Sequence, residues 1–312
     1  MENFLLALEV IFPIVVNLSL GYAMKRFGIL DSATVKKMNA SVFKVFLPLL
    51  LFYNVYSTDV KTAFNLQLIL YSVLGVVATF LILLISVPHF EKDKRKCGAL
   101  IQGIFRSNFI IFGLPVATSL CSPDDIGAVS LLIAIIAPTF NVLAVITMEI
   151  FRGSKINIKQ IVIGVVTNPL IIASVLGLIF ATFKITILPL FEKCISDITK
   201  ITNPLALILL GASFAFASVK GYTKQLIAGL SGRLIIVPAI FLSLAAFLGF
   251  RGADMVALMV LFASPAAVSS FIMAEQMEGD GTLAGQLIVL GSVLSVLTVF
   301  VWILILKGLM LI

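Results

Sequence analysis

Residues 66–87 read LQLILYSVLGVVATFLILLISV, without a single charged side chain. At 1.5 Å of rise per residue a helix of this length spans about 33 Å, enough to cross a hydrocarbon core roughly 30 Å thick. The rest of the chain has the same character: 312 residues, 61% hydrophobic and 12% charged, with a mean hydropathy of +1.18. Soluble domains run nearer 45–50% apolar and about 25% charged, and disorder needs low hydrophobicity, so both are excluded. The net charge is +7, but too few charged residues remain to build a phosphate-binding face, which excludes nucleic acid. The lipid bilayer is the expected surrounding.

Ten stretches have the length and polarity of a span, approximately 4–24, 37–57, 66–87, 98–120, 127–150, 160–183, 201–218, 226–248, 254–274 and 284–307. The first is not expected to be a cleaved signal, because Met1-Glu2-Asn3 lacks a basic stretch and the apolar run is too long. Residues 186–200 mix apolar and charged positions and read as an interfacial lead-in to the seventh span. The polar gaps are too short for a soluble domain.

Lysine and arginine placement orients the spans. The first, third, fifth and seventh loops carry Lys25, Arg26, Lys36 and Lys37; Lys92, Lys94, Arg95 and Lys96; Arg152, Lys155 and Lys159; and Lys220 and Lys224. These thirteen compare with six on the other side: Lys61, Lys184, Lys193, Lys200, Arg251 and Lys307. The odd loops are expected in the cytoplasm and both termini outside. The ninth loop, with Glu275, Glu278 and Asp280 but no basic residue, lends this no support.

The chain also repeats itself. Pro13, Gly21 and Pro48 recur as Pro169, Gly177 and Pro204 at a shift of 156. Phe112-Gly-Leu-Pro115-Val-Ala117 pairs with Phe262-Ala-Ser-Pro265-Ala-Ala267 at a shift of 150. Val142-Leu143 and Val145 pair with Val296-Leu297 and Val299 at 154. Residues 1–155 and 156–312 thus form two five-span units. Five is odd, so the second must cross the membrane inverted, an arrangement typical of secondary transporters.

Gly103-Ile-Phe-Arg106-Ser-Asn108-Phe-Ile-Ile-Phe-Gly113-Leu-Pro115 resembles the fourth-span motif of the auxin efflux carrier family, whose plant members read Asn-x-x-x-x-Gly-x-Pro. Phe46-Leu-Pro48-Leu-Leu-Leu-Phe52-Tyr-Asn54 resembles that family's second span, and Ala263-Ser264-Pro265-Ala266-Ala267 its C-terminal part. The chain lacks the long hydrophilic central loop of many plant members and is similar to short bacterial ones, among them malonate- and malate-type organic-acid carriers. The resemblance implies an all-α polytopic protein of ten transmembrane helices, with broken fourth and ninth helices crossing near the midplane. It places Asn108, Pro115 and Pro265 at that crossing.

A proline inside a helix removes one hydrogen bond and frees the carbonyl four residues back; in lipid that carbonyl must find another partner. Pro115 and Pro265 are read as exposing such groups to a ligand, whereas Pro13, Pro48, Pro138, Pro169, Pro204 and Pro238 are read as kinks. Half-helix N-termini there offer positive dipole ends to an anion. Arg106 and Arg233 lie deep in spans four and eight. An arginine at such depth costs at least about 2.5–3.5 kcal/mol unless it snorkels or faces a cavity or partner, and both readings stand. The asparagines Asn17, Asn39, Asn54, Asn141, Asn168 and Asn203 are read as bonding between helices. Ser264, Ser269 and Ser270 either bond back to their own helix or serve the ligand. Of the carboxylates only Glu9 and Glu149 lie well inside a span, both near its ends, which leaves no midplane pair of acids for proton coupling. Sodium coupling and uniport stay open.

The expected function is a secondary active carrier that moves a small organic anion, a carboxylate, across the bacterial cytoplasmic membrane by alternating access. The candidate substrate-binding residues are Arg106, Asn108, Gly113, Pro115, Arg233, Ser264 and Pro265. Coupling to Na+ or H+ and assembly as a homodimer are admitted as partners. A channel or uniport permease for a small polar solute, or a transporter-like sensor, are the alternatives. Cys97, Cys121, Cys194 and His89 are scattered, so no metal, cofactor or enzyme activity is expected.

Overall fold

The computed structural model describes residues 2–57, 65–121, 127–152, 158–214 and 216–312. The protein is all-α; among the described residues the only strand-like pairing is an isolated antiparallel bridge between Ser107 and Ala266. In chain order the helices are α1 (Glu2–Arg26), α2 (Ser32–Tyr56), α3 (Leu66–Phe90), α4a (Lys94–Phe105) with α4b (residues 109–120), α5 (Gly127–Phe151), α6a (Ile158–Val166) with α6b (Pro169–Phe183), α7 (Pro189–Ser213), α8 (Val219–Phe247), α9a (Gly252–Ala263) with α9b (Ser269–Gln276), and α10 (Gly281–Gly308). Five of them, α2, α3, α7, α8 and α10, are long and apolar enough to cross a membrane unbroken. Of residues 186–200, read as an interfacial lead-in to the seventh span, those from Pro189 onward are the first turns of α7 itself.

The solvent these helices are built for is visible on α3. Leu70, Leu74, Leu81, Ile82 and Ile85 point outward, Ile85 being 69% exposed, while Leu68, Val76 and Phe80 are buried. An apolar outer face of this extent suits lipid and would aggregate in water.

The described ends of the odd-numbered connections lie on one face. A cavity of about 940 Å3 is walled by Lys25 and Ser32, by Lys94 and Arg95, by Phe151, by Ser213, and by Glu275 and Glu278, which flank the first, third, fifth, seventh and ninth loops. The acidic ninth loop belongs there because it is tied to basic partners. Arg95 donates to the carbonyls of Glu278 and Gly279, each at 3.1 Å, and Arg152 pairs with Glu278 at 2.8 Å. The other face is stitched by bonds from Asn65 to Asp254, from the Ile187 amide to the Tyr56 hydroxyl, and from the Gly252 amide to the Leu311 carbonyl. Lys61 and Lys155 lie outside the described residues, as does the side chain of Glu9.

Two helix pairs approach so closely that only glycine fits. A Cβ on Gly21 of α1 would stand 1.9 Å from the Ile208 carbonyl oxygen of α7, and one on Gly177 of α6b 2.7 Å from the Phe52 carbonyl oxygen of α2. Small residues let backbones meet in this way where lipid supplies no hydrophobic drive. The 156-residue shift of the sequence carries Gly21 onto Gly177 and Phe52 onto Ile208, so the two contacts interchange with their partners exchanged.

Three of the prolines share a local solution. Three π turns, Val42–Phe46, Phe109–Gly113 and Gly232–Ile236, each end two residues before a proline: Pro48, Pro115 and Pro238. The wider turn moves the backbone away from the clash that a proline ring makes with the carbonyl four residues back. The carbonyl that Pro238 frees, that of Leu234, accepts the indole N–H of Trp302 at 3.1 Å. α6 breaks outright at Thr167-Asn168, before Pro169, where the Asn168 side chain caps α6b by accepting from the Leu170 amide at 2.9 Å. Pro13, the counterpart of Pro169, follows Phe12, which has no capping atom, and α1 runs on unbroken.

Candidate functional site

Arg106, Ser107 and Asn108 separate α4a from α4b, and residues 264–268 separate α9a from α9b. Ser264 precedes a proline, which disfavours the helical region, and it adopts φ −63°, ψ 150°. No proline breaks α4. The extended segment of α9 supplies its alternative partners instead: the Asn108 amide donates to the Pro265 carbonyl at 2.7 Å, and the Ala267 amide to the Arg106 carbonyl at 3.3 Å. The two breaks therefore cross and satisfy each other.

A cavity of about 70 Å3 lies against this crossing, lined by Asn54 of α2, Arg106 to Ile110, Phe140 and Asn141 of α5, Asn203 of α7, and Ala267 to Ser269. At roughly 10–15 Å3 for each water centre, it admits several waters or a small polar ligand. Both half-helix N-termini line it, through Phe109 and Ile110 of α4b and through Val268 and Ser269 at the start of α9b. First-turn amides have no carbonyl of their own helix to bond.

Arg106 is 3% exposed, so it does not snorkel. One terminal nitrogen, Nη2, donates to Asn141 Oδ1 at 2.6 Å, and the other, Nη1, reaches Gln102 Oε1 at 3.4 Å and the Met273 sulfur at 2.7 Å. Among the described residues no carboxylate lies within ion-pair distance of it. Beside it Asn108, also 3% exposed, has an Nδ2 with no hydrogen-bond partner among the described residues, as does the Ser107 hydroxyl. Buried polar groups are rarely left so, and both residues line the cavity.

The second arginine is spent differently. All five N–H donors of a guanidinium are used by Arg233 on backbone carbonyls. Its Nε donates to Ser264 at 2.7 Å, Nη1 to Ile104 and Phe105 at 3.0 and 3.3 Å, and Nη2 to Leu261 and Phe262, both at 2.9 Å. These are the C-terminal carbonyls of α4a and α9a, and Leu261 is the one that Pro265 frees. The expectation that Arg233 turns its charge to a substrate gives way to this bracing role, because no donor is left.

Three other expected positions also move. Pro115 is not at the crossing; it sits just beyond the π turn of α4b, past the break. Gly113 packs against α9a, where a Cβ would meet Val260 at 3.2 Å and the Ser264 hydroxyl at 3.3 Å. The Ser264 hydroxyl bonds back to the Val260 carbonyl at 2.5 Å and lines no part of the cavity. Arg106 and Asn108 are brought together at the cavity, and Pro265 holds Asn108 in place. Asn54, Asn141, Asn203 and Ser269 line it too. Their polarity inside apolar spans was the available signal.

The comparisons with known proteins follow the same line. A family model described as membrane transport protein matches residues 6–161 and 152–303. An uncharacterized transporter of Methanocaldococcus jannaschii is 24% identical over 306 residues, covering 96% of this chain and 98% of its own. One of Methanothermobacter thermautotrophicus is 24% identical over 304 residues, covering 94% and 96%. The chain belongs to this family of multi-pass membrane transporters, that of the auxin efflux carriers, and is a transporter rather than an enzyme.

Proposed function

We propose that the protein is a secondary carrier for a small organic anion, a carboxylate, bound at the crossing of α4 and α9. One observation carries this: two half-helix N-termini and a buried arginine without a carboxylate partner among the described residues converge on the same cavity. Positive dipole ends and an uncompensated guanidinium favour a negative occupant. A carboxylate also matches the planar fork of arginine. Asn108 Nδ2 and the Ser107 hydroxyl add directional donors. Lys25, Lys36, Lys94 and Arg95 around the larger cavity outnumber Glu275 and Glu278, and such a field raises the local anion concentration.

The architecture we infer is ten spans in two inverted halves, 1–155 and 156–312, in the cytoplasmic membrane. The basic face is inside and both termini are outside. The exchanged contacts of Gly21 with Ile208 and Gly177 with Phe52 support the inversion, as do the reciprocal bonds of Asn108 to Pro265 and Ala267 to Arg106. Alternating access then moves one set of helices against the other around the crossing.

The test is a stabilisation screen of the purified protein with malonate, malate, succinate, indole acids, neutral amino acids and organic amines, followed by counterflow in proteoliposomes. Anionic carboxylates are expected to stabilise and to exchange saturably. Stabilisation by amines or neutral solutes alone would end the anion reading, and non-saturating flux would favour a channel.

A further inference from the structure

The crossing has a second side. The C-terminal ends of α4a and α9a meet there, and both are negative poles. In carriers built on broken helices such ends, with their unwound carbonyls, hold the coupling sodium ion. In this protein the carbonyls of Ile104, Phe105, Leu261, Phe262 and Ser264 are all bonded by one guanidinium, that of Arg233, which is 2% exposed.

We infer that Arg233 is a resident cation for the crossing, standing where a coupling sodium ion would bind, so that the transporter works without sodium. Arginine suits this because it stays charged at any physiological pH and its planar fork reaches several carbonyls at once. Local structure fixes it there. Arg233 follows Gly232, whose missing side chain admits Ile104 (a Cβ would lie 3.3 Å from it), and both sit in the π turn of α8. A sodium ion entering this place would have to displace a covalently tethered cation or sit beside it. The inference concerns the negative ends of the crossing and stands whether or not the opposite, positive ends bind a carboxylate.

The test uses purified full-length protein with no organic anion present. Wild type is expected to melt at the same temperature in equal concentrations of sodium, potassium and choline chloride, and to take up no radioactive sodium saturably. Arg233→Ala removes the guanidinium that these five carbonyls share. Its midpoint should fall and be restored saturably by millimolar methylguanidinium, but not by choline. A purely structural role predicts a loss that no cation restores, and that result would overturn the inference. Saturable sodium binding to wild type would overturn it too, and this arm decides the matter if Arg233→Ala fails to insert. Because every arm is free of carboxylate, failure here is separate from failure of the anion reading.

Discussion

Arg106→Gln separates a ligand-binding arginine from a merely tolerated one. Removing the charge relieves the cost of holding an arginine in the membrane interior, about 2.5–3.5 kcal/mol. It also loses the short bond to Asn141 Oδ1 at 2.6 Å, worth about 1.5–3 kcal/mol when one partner is charged. The two nearly cancel, so the unliganded protein should melt close to wild type. Ligand binding has no such compensation. Losing a charge-assisted contact should weaken the affinity for the stabilising carboxylate at least tenfold, or about 1.4 kcal/mol. At a ligand concentration near 100 times the wild-type dissociation constant, binding stabilises wild type by about 2.7 kcal/mol; a tenfold weaker variant retains about 1.4.

The assay is a thermal melt of both proteins with and without the best carboxylate from the screen, then calorimetric titration. Arg106→Lys should fall between them, keeping the charge and losing the fork. If Arg106→Gln binds within twofold of wild type, the arginine does not meet the ligand, and the anion assignment loses its main physical support.

Three further outcomes follow from the same geometry. Pro265→Ala should impair counterflow more than Pro115→Ala, since the first lies in the crossing and the second only beyond a π turn; equal effects would place both prolines in purely structural roles. Gly21→Ala forces a methyl to 1.9 Å from the Ile208 carbonyl and should cost about 1–3 kcal/mol, as overpacking does, read as a lower melting midpoint. Gly221→Ala, with open space around it, is the silent control. Glu91, after α3, is pushed up by burial, but its bonds from Gln225 and the Asp93 amide outweigh this and hold its carboxyl below the usual 4.5. Its stabilisation is therefore present above that pH and lost as pH falls below it through the depressed folded value. Melting midpoints should drop in that acidic range, and less steeply in Glu91→Gln.

The apolar runs made the membrane class legible, and the boundaries of α3 and α5 lie close to those read from residues alone. Pro265 was legible as freeing the Leu261 carbonyl, because its ring acts locally, while the α9 break itself was read from the family resemblance. The α4 break was legible only through the family motif, since its cause is remote: the bonds that hold Arg106 and Asn108 extended come from the backbone of α9. The α6 break carried a local signal, Asn168-Pro169, that a continuous apolar reading passes over. Arg106 and Arg233 were indistinguishable in sequence, as two arginines deep in apolar spans. What separates them is which ends of the broken helices each one meets, and that is a property of the crossing.

The same asymmetry sets the kinetics of the proposed cycle. In that proposed cycle Arg233 would keep its counter-charge, the helix C-termini, whether or not an anion is bound. Arg106 gains one only when an anion is bound, having no carboxylate partner among the described residues. Alternating access passes the site through a state closed to both sides, where water is scarce and an unpaired cation costs most. The empty carrier must therefore climb higher than the loaded one, by up to the roughly 2.5–3.5 kcal/mol of an exposed intramembrane arginine. That corresponds to a ceiling near two orders of magnitude in rate. Exchange of internal for external carboxylate should outpace net uptake into empty proteoliposomes at least tenfold with the membrane potential clamped at zero. In Arg106→Gln, whose empty site carries no charge, the two rates should converge even as affinity falls. Equal exchange and net rates in wild type would mean that the empty crossing turns over as readily as the loaded one, so that Arg106 finds another counter-charge during the cycle.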